Sequence, residues 1–105
     1  MEVTFEKEYL REMYRTGKTT DKKHRFQPAI IRKYIRVIDI MINQPDTVAL
    51  ADYNSLNYEK LKGKKAGLSS VRINDQYRIE FEEKIVESQS VATICNITEL
   101  SNHYK

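Results

Sequence analysis

The sequence has a single cysteine, and its cysteine and histidine residues are not spaced as the ligands of a metal site. Its 105 residues include two prolines, three glycines and no tryptophan. Because Cys95 has no partner for an internal disulfide, and no Cys/His pattern matches a zinc site, we expect no disulfide, metal ion or other cofactor. Cys95 lies in a short apolar run, where a small core residue is the ordinary expectation.

The chain also has little that would direct it to a membrane. Its apolar runs are far shorter than the ~20 residues needed to span a bilayer, and the segment Glu2 to Glu6 is too acidic for a secretion signal. With 40% hydrophobic and 31% charged residues, the chain fits a single domain over residues 1–105. We therefore expect a one-domain cytoplasmic protein with no membrane partner.

The net charge of +3 is small, but the charges are unevenly distributed. Between Arg11 and Arg36 there are nine Lys/Arg and two acids, and between Lys60 and Arg78 there are six and one. Such segments attract a polyanion, although a basic run is often only a solvated face. Both interpretations stay open at this point.

The most informative pattern lies around residues 74–76. Apolar residues alternate with polar ones on both sides of Asn74-Asp75-Gln76, which predicts two half-buried strands joined by a tight turn. Because successive side chains of a strand point to opposite faces, Arg72 and Arg78 should lie on the face opposite the apolar residues, where guanidinium groups can meet an anionic ligand.

Two helices precede this hairpin. Apolar residues recur at helical spacing after a short strand at Glu2 to Phe5, and Gly17 should end that first helix. A second apolar stripe runs from Gln27 until Pro45 forbids continuation. Residues 46–59 give no clear pattern, and we expect them to be irregular.

A strand from Val91 to Leu100 follows the hairpin, and its nearly continuous apolar character predicts a central strand buried on both faces. The predicted fold is therefore α+β, in the order β-α-α-β-β-β, with two N-terminal helices packed on one face of a small antiparallel sheet. The other face should be left free to bind something.

Three segments resemble the RelE/ParE superfamily of bacterial toxins, and within it the HigB-type mRNA interferases. They are Leu61-Lys62-Gly63, the hairpin from Val71 to Ile79, and the terminal run from Glu99 to Tyr104. The resemblance spans essentially the whole chain and implies this same RelE-like fold. It also implies a cytoplasmic endoribonuclease that cleaves mRNA in the ribosomal A site and is silenced by a cognate antitoxin.

The resemblance assigns roles to individual residues. Arg78 resembles the strand arginine that stabilises the phosphate undergoing cleavage, and His103 resembles the histidine near the end of many HigB-type sequences. Glu59 stands where several members have a second catalytic histidine, so it departs from the family pattern.

Metal-independent RNA cleavage needs a base for the ribose 2′-hydroxyl, cations for the phosphorane and an acid for the leaving oxygen. His103 can act as general acid or base, since an unperturbed histidine titrates near pH ~6.5. Glu59 is the candidate base, Arg78 offers a planar fork of donors, and Tyr104 can stack on a nucleobase or donate a hydrogen bond. The cations suited to grip the RNA backbone are Lys60, Lys62, Lys64, Lys65 and Arg72.

Each of these residues also has a purely structural interpretation. Arg78 and Arg72 can pair with acids across the hairpin, and Glu59 can be a solvated ion-pair partner. His103 can be an exposed surface residue, and Tyr104 can cover the sheet edge.

Three classes of function therefore remain open. The first is a ribosome-dependent nuclease, the second is a ParE-like toxin that inhibits DNA gyrase without cutting RNA, and the third is a non-catalytic RNA- or ribosome-binding module. The partners implied by the resemblance are a cognate helix-turn-helix antitoxin, mRNA on the ribosome, and operator DNA reached only through the antitoxin complex.

Overall fold

The hairpin predicted around Asn74 forms the middle of a five-stranded sheet in the computed structural model, which describes residues 1–102. In chain order the helices and strands are β1 (Glu2–Phe5), α1 (Glu8–Thr16), α2 (Pro28–Asn43), α3 (Thr47–Ala51), β2 (Glu59–Lys60), β3 (Leu68–Arg72), β4 (Tyr77–Lys84) and β5 (Ile94–Asn102). Short 3₁₀ turns lie at Asn54–Leu56 and Gly63–Lys65.

The strands lie in the order β1-β5-β4-β3-β2, and β1 runs parallel to β5 while the other pairs are antiparallel. The predicted α+β fold and its element order are confirmed, but the sheet is mixed rather than antiparallel because β1 pairs in parallel with β5. Two elements are additional, because residues 46–59 hold both the helix α3 and the first residue of β2. Asp46 caps α3 by accepting a hydrogen bond from the amide of Ala49 at 2.9 Å, which satisfies one of the amides at the helix start.

The helix boundaries follow the local signals in the sequence. α1 ends at Gly17, whose φ of 75° is left-handed and whose amide donates to the Met13 carbonyl at 2.9 Å. Glycine adopts this conformation without a steric cost. α2 begins with Pro28 at its first turn and ends two residues before Pro45, as predicted.

The core lies between the helices and one face of the sheet. Tyr34 of α2 is fully buried, and its hydroxyl donates to the Leu10 carbonyl at 2.9 Å, which ties α2 to α1. His24, in the loop between these helices, stacks on Tyr9 with ring centroids 3.9 Å apart. The largest fully buried side chains are those of Tyr34, Phe81, Leu10, Met13, Ile38, Met41, Leu50, Ile79, Ile97, Val71 and Cys95. Cys95 is thus the core residue that the sequence predicted.

β5 is central, between β1 and β4, but it begins at Ile94 rather than Val91. Burial on both faces holds for Cys95 to Ile97, whereas Glu99 is exposed. A register irregularity in the pairing of β4 with β5 falls between Glu80 and Phe81.

The face of the sheet opposite the helices is only partly open, so the expectation of a free face needs correction. Ser70 and Glu80 point to that face, yet they are 1% and 6% exposed. Lys65 reaches Glu80 from the segment that precedes β3, so this segment covers the middle of the face. Toward the hairpin turn, Arg72 on the same face is 39% exposed.

A polar cluster lies beside α3, in a cleft of about 660 Å³. The Glu83 carboxylate accepts hydrogen bonds from the Tyr58 hydroxyl and from the Ser69 hydroxyl. Burial and then the hydrogen bond to Glu83 raise the pKa of Tyr58 to about 12. The protonated phenol is therefore the stable form in the folded chain.

Tyr58 should make the stability of the fold pH-dependent in alkali. An unfolded tyrosine ionises near pH ~10, so the contribution of Tyr58 is present below that pH and is lost as the pH rises to about 12. We expect Tyr58→Phe to be less stable than the wild type at neutral pH and to lose stability less steeply across this window. Urea unfolding at a series of pH values measures both effects. Equal slopes for the two proteins would contradict the assignment.

Candidate active site

Arg78 lies on the sheet face that points away from the helices. Its neighbour Ile79 is buried in the core, so Arg78 points the other way, as the alternation predicted. In the sheet it stands between Arg72 of β3 and Ser101 of β5. The two arginines of the hairpin are therefore direct cross-strand neighbours.

The guanidinium of Arg78 is held in one orientation. Its Nε donates to the Ser70 hydroxyl at 2.8 Å, and its Nη2 donates to the Asn57 carbonyl at 2.6 Å. Asn57 adopts a left-handed φ of 44°, and this turn presents its carbonyl to the arginine. The Arg78 side chain is 11% exposed, so a partly desolvated cation is fixed on a rigid strand.

Glu59 lies beside this cation. Its Oε1 is 4.0 Å from the Arg78 Nε, and its side chain is 53% exposed. Glu59 pairs with Ser70 in the sheet, so the β2–β3 ladder brings it to Arg78 although the two are distant in sequence. The structure thus places together a fixed cation and an accessible carboxylate.

The predicted RNA-binding lysines occupy two different environments. Lys60, Lys62 and Lys64 are exposed on β2 and the turn after it. Lys65 instead donates to the Glu80 carboxylate at 2.7 Å, and this hydrogen bond raises the pKa of the Lys65 ammonium. Lys65 thus neutralises a buried carboxylate, which is a structural role. Among the described residues, the other three lysines form no such contact and are exposed to solvent.

Arg72 forms an ion pair with Asp75 in the hairpin turn. The sequence analysis allowed Arg72 to pair with an acid across the hairpin. The observed partner is instead an acid in the turn, three residues away in sequence. Its side chain remains 39% exposed, so the pair does not remove it from the surface.

His103 and Tyr104 lie outside the described residues, so their proximity to Arg78 stays a prediction. The last described residue, Asn102, pairs with Tyr77 at the start of β4, next to Arg78. In the sequence His103 directly follows Asn102.

Two residues that hold Arg78 were missed in the sequence. Ser70 is two positions before Arg72, so the alternation of β3 already placed it on the arginine-bearing face. Asn57 contributes a backbone carbonyl across 21 residues, and no local pattern indicates such a contact.

Comparison with known proteins identifies the family. The family model described as the RelE-like toxin HigB of type II toxin-antitoxin systems matches residues 3–94. The chain belongs to the HigB-like toxins. None of the curated proteins matches this sequence.

Solved structures share the fold of this HigB-like toxin. The YoeB/ParE toxin from Agrobacterium tumefaciens is 19% identical, with a TM-score of 0.57 over 99% of this chain and 100% of that one. A YoeB-YefM complex from Staphylococcus aureus is 17% identical, with a TM-score of 0.58 over 99% and 98% of the two chains. YafQ from E. coli, in a mutant form, is 10% identical, with a TM-score of 0.58 over 97% and 92%.

None of the helices in residues 1–102 has the length and apolar character of a membrane span. Within the same residues no group of three or more His, Cys, Asp or Glu side chains is arranged to hold a metal ion.

The ion pair between Lys65 and Glu80 gives a test of the site's framework. We expect Lys65→Met to lower the free energy of unfolding by about 1–2 kcal/mol, because the buried Glu80 carboxylate loses its cation while Lys65 itself is half exposed. Lys64→Met, at an exposed neighbour, is the matched control and should change stability by less than ~0.5 kcal/mol. Urea unfolding measures both. Adding Glu80→Gln to Lys65→Met should restore part of the loss, and equal effects of the two lysine substitutions would contradict this role.

Proposed function

We propose that this toxin is a metal-independent endoribonuclease that cleaves mRNA on the ribosome. The observation that carries the proposal is the Arg78 guanidinium, held by Ser70 and Asn57 with Glu59 at 4.0 Å, on the sheet face opposite the helices. A planar guanidinium matches two oxygens of a phosphate, and a carboxylate beside it can accept a proton.

The proposed reaction is an internal transfer at phosphorus. A base removes the proton of the ribose 2′-hydroxyl, the 2′-oxygen bonds to the adjacent phosphorus, and the bond to the 5′-oxygen breaks as that oxygen takes a proton from an acid. The products are a 2′,3′-cyclic phosphate and a 5′-hydroxyl. Arg78 stabilises the charge that builds on the non-bridging oxygens, where a preorganised donor is most effective.

The proton-transfer roles fall to Glu59 and His103. Glu59 is the candidate base, and His103 serves as acid or base, since either role suits an imidazole near neutral pH. Tyr104 stacks on a nucleobase or donates a hydrogen bond. Lys60, Lys62 and Lys64 grip the neighbouring phosphates.

The ribosome supplies alignment in this proposal. Positioning of the reacting groups can contribute several kcal/mol, up to roughly 7–11 kcal/mol for well-oriented intramolecular reactions. A site with few acid-base residues benefits most from such external alignment, and this supports dependence on the ribosome.

The proposed protein partner is a cognate antitoxin with a helix-turn-helix domain, and the toxin reaches operator DNA only as part of that complex. The Staphylococcus aureus neighbours are YoeB-YefM complexes, one of them described as a heterotetrameric toxin-antitoxin complex. Their shared fold supports a complex of this toxin with an antitoxin.

Arg78→Ala should abolish the growth arrest caused by expression of the toxin and lower cleavage by about 10²–10³-fold, because the phosphorane loses its principal donor. Primer extension on mRNA from expressing cells measures the cuts, which should fall within translated codons. Arg11→Ala, which removes an exposed arginine of α1 paired with Glu8, is the matched control and should cleave like the wild type.

The alternatives give different results in the same experiment. A gyrase inhibitor or a plain RNA-binding module would arrest growth without discrete cuts, and no 2′,3′-cyclic phosphate ends would be found. Unchanged cleavage by Arg78→Ala would remove this arginine from the mechanism.

A further inference from the structure

A groove lies between the hairpin turn, the segment 53–57 and α2. It consists of two adjoining cavities of about 720 Å³ and 260 Å³, which share Lys33, Ser55, Arg72 and Ile73 in their walls. Asn57, whose carbonyl accepts the hydrogen bond from Arg78, lines the larger cavity. The groove therefore borders a residue that holds Arg78, and Arg72 in its wall is the cross-strand neighbour of Arg78.

The groove carries positive charge on two of its walls. Lys33 and Arg36 come from α2 and are exposed, and Arg72 comes from β3. Among the described residues that line the groove, Asp75 is the single acid, and it is paired with Arg72. Lys33 and Arg36 form no ion pair with any residue in 1–102, so both exposed cations can contact a ligand in the groove.

The remaining walls combine an aromatic ring with small polar groups. Tyr53 is 38% exposed and lines the smaller cavity. Asn54 and Ser55 add amide and hydroxyl groups at the mouth. A track of cations beside an accessible aromatic ring is the arrangement that binds single-stranded nucleic acid, because cations follow the backbone and bases stack on the ring.

We propose that this groove, defined by Lys33, Arg36, Tyr53, Asn57 and Arg72, binds the single-stranded RNA that continues from the phosphate at Arg78. The inference rests on the proposed function and extends it, because it assigns a substrate track to α2 and to the 53–57 segment. An acidic protein segment would also meet the cations, but the exposed ring of Tyr53 and the position of Asn57 and Arg72 beside both the groove and Arg78 favour RNA.

The salt dependence of RNA binding tests the cations. The double substitution Lys33→Gln and Arg36→Gln should reduce the slope of log Kd against log salt by roughly 1.4, that is about 0.7 for each lost phosphate contact on a single strand. The probe is an oligouridylate of about 10 nucleotides, and fluorescence anisotropy measures its affinity. The matched control is Lys7→Gln with Arg11→Gln, which removes two cations outside the groove and should leave the slope unchanged.

Substitutions of Tyr53 test the contribution of base stacking without changing the charge of the groove. Tyr53→Ala should weaken binding of the same oligonucleotide by about fivefold or more, whereas Tyr53→Phe, which keeps the ring, should bind like the wild type. Thermal unfolding of each variant shows whether the fold is retained. If the Ala variant is unstable, the Phe variant is compared with the wild type alone, and a loss of binding of about fivefold or more by a folded Tyr53→Phe would contradict stacking.

The outcomes distinguish this inference from the nuclease proposal. An unchanged salt slope for the groove variant overturns the RNA track, and so does a loss of antitoxin affinity with unchanged RNA affinity. If the groove variant loses RNA affinity while Arg78→Ala leaves cleavage unchanged, the groove stands and the nuclease assignment of Arg78 fails.

Discussion

The site depends on the fixed orientation of one guanidinium. Arg78 donates to a hydroxyl on the neighbouring strand and to a backbone carbonyl of the preceding turn, so two separate parts of the chain determine where its charge points. An arginine side chain that is free in solution loses roughly 2 kcal/mol of rotamer entropy when it is ordered, and here the fold has already met that cost before any ligand binds. Such preorganisation is what a phosphate-binding group needs.

The segment between α2 and β3 supplies most of the groups that surround Arg78. The segment has little regular structure, but it places the Asn57 carbonyl and the Glu59 carboxylate beside Arg78, and it sends Lys65 to the buried Glu80. The same segment forms one wall of the groove that continues toward α2. An irregular segment on the surface of a rigid sheet therefore shapes most of the site, as is common for functional loops.

The sequence predicted those features that depend on local periodicity. The two long helices, the hairpin and the outward orientation of Arg78 follow from spacing within a few residues, because the alternation of a strand determines its faces. α3 was missed because a helix of five residues leaves almost no periodic signal, even though Asp46 is a typical cap. The parallel pairing of β1 with β5 joins opposite ends of the chain, and no local pattern indicates it.

The candidate site was predictable only in part for the same reason. The alternation of the hairpin already indicates Arg78, whereas Glu59 rests on the resemblance, and the β2–β3 ladder brings the two together. The partner of Lys65 was not predicted, because the lysine and Glu80 meet through a turn of 3₁₀ helix whose path the sequence does not reveal. His103 and Tyr104 lie outside the described residues, and their part in the site stays a prediction.

The most direct test of this account is the single-turnover rate of mRNA cleavage on programmed ribosomes for Arg78→Lys. Lysine keeps the positive charge but lacks the planar fork that Ser70 and Asn57 hold in place. We expect the rate of cleavage to fall by about 10²–10³-fold while the affinity for the ribosome changes little, because the loss is confined to the transition state. A lysine variant that cleaves at the wild-type rate would contradict the central role of the fixed guanidinium.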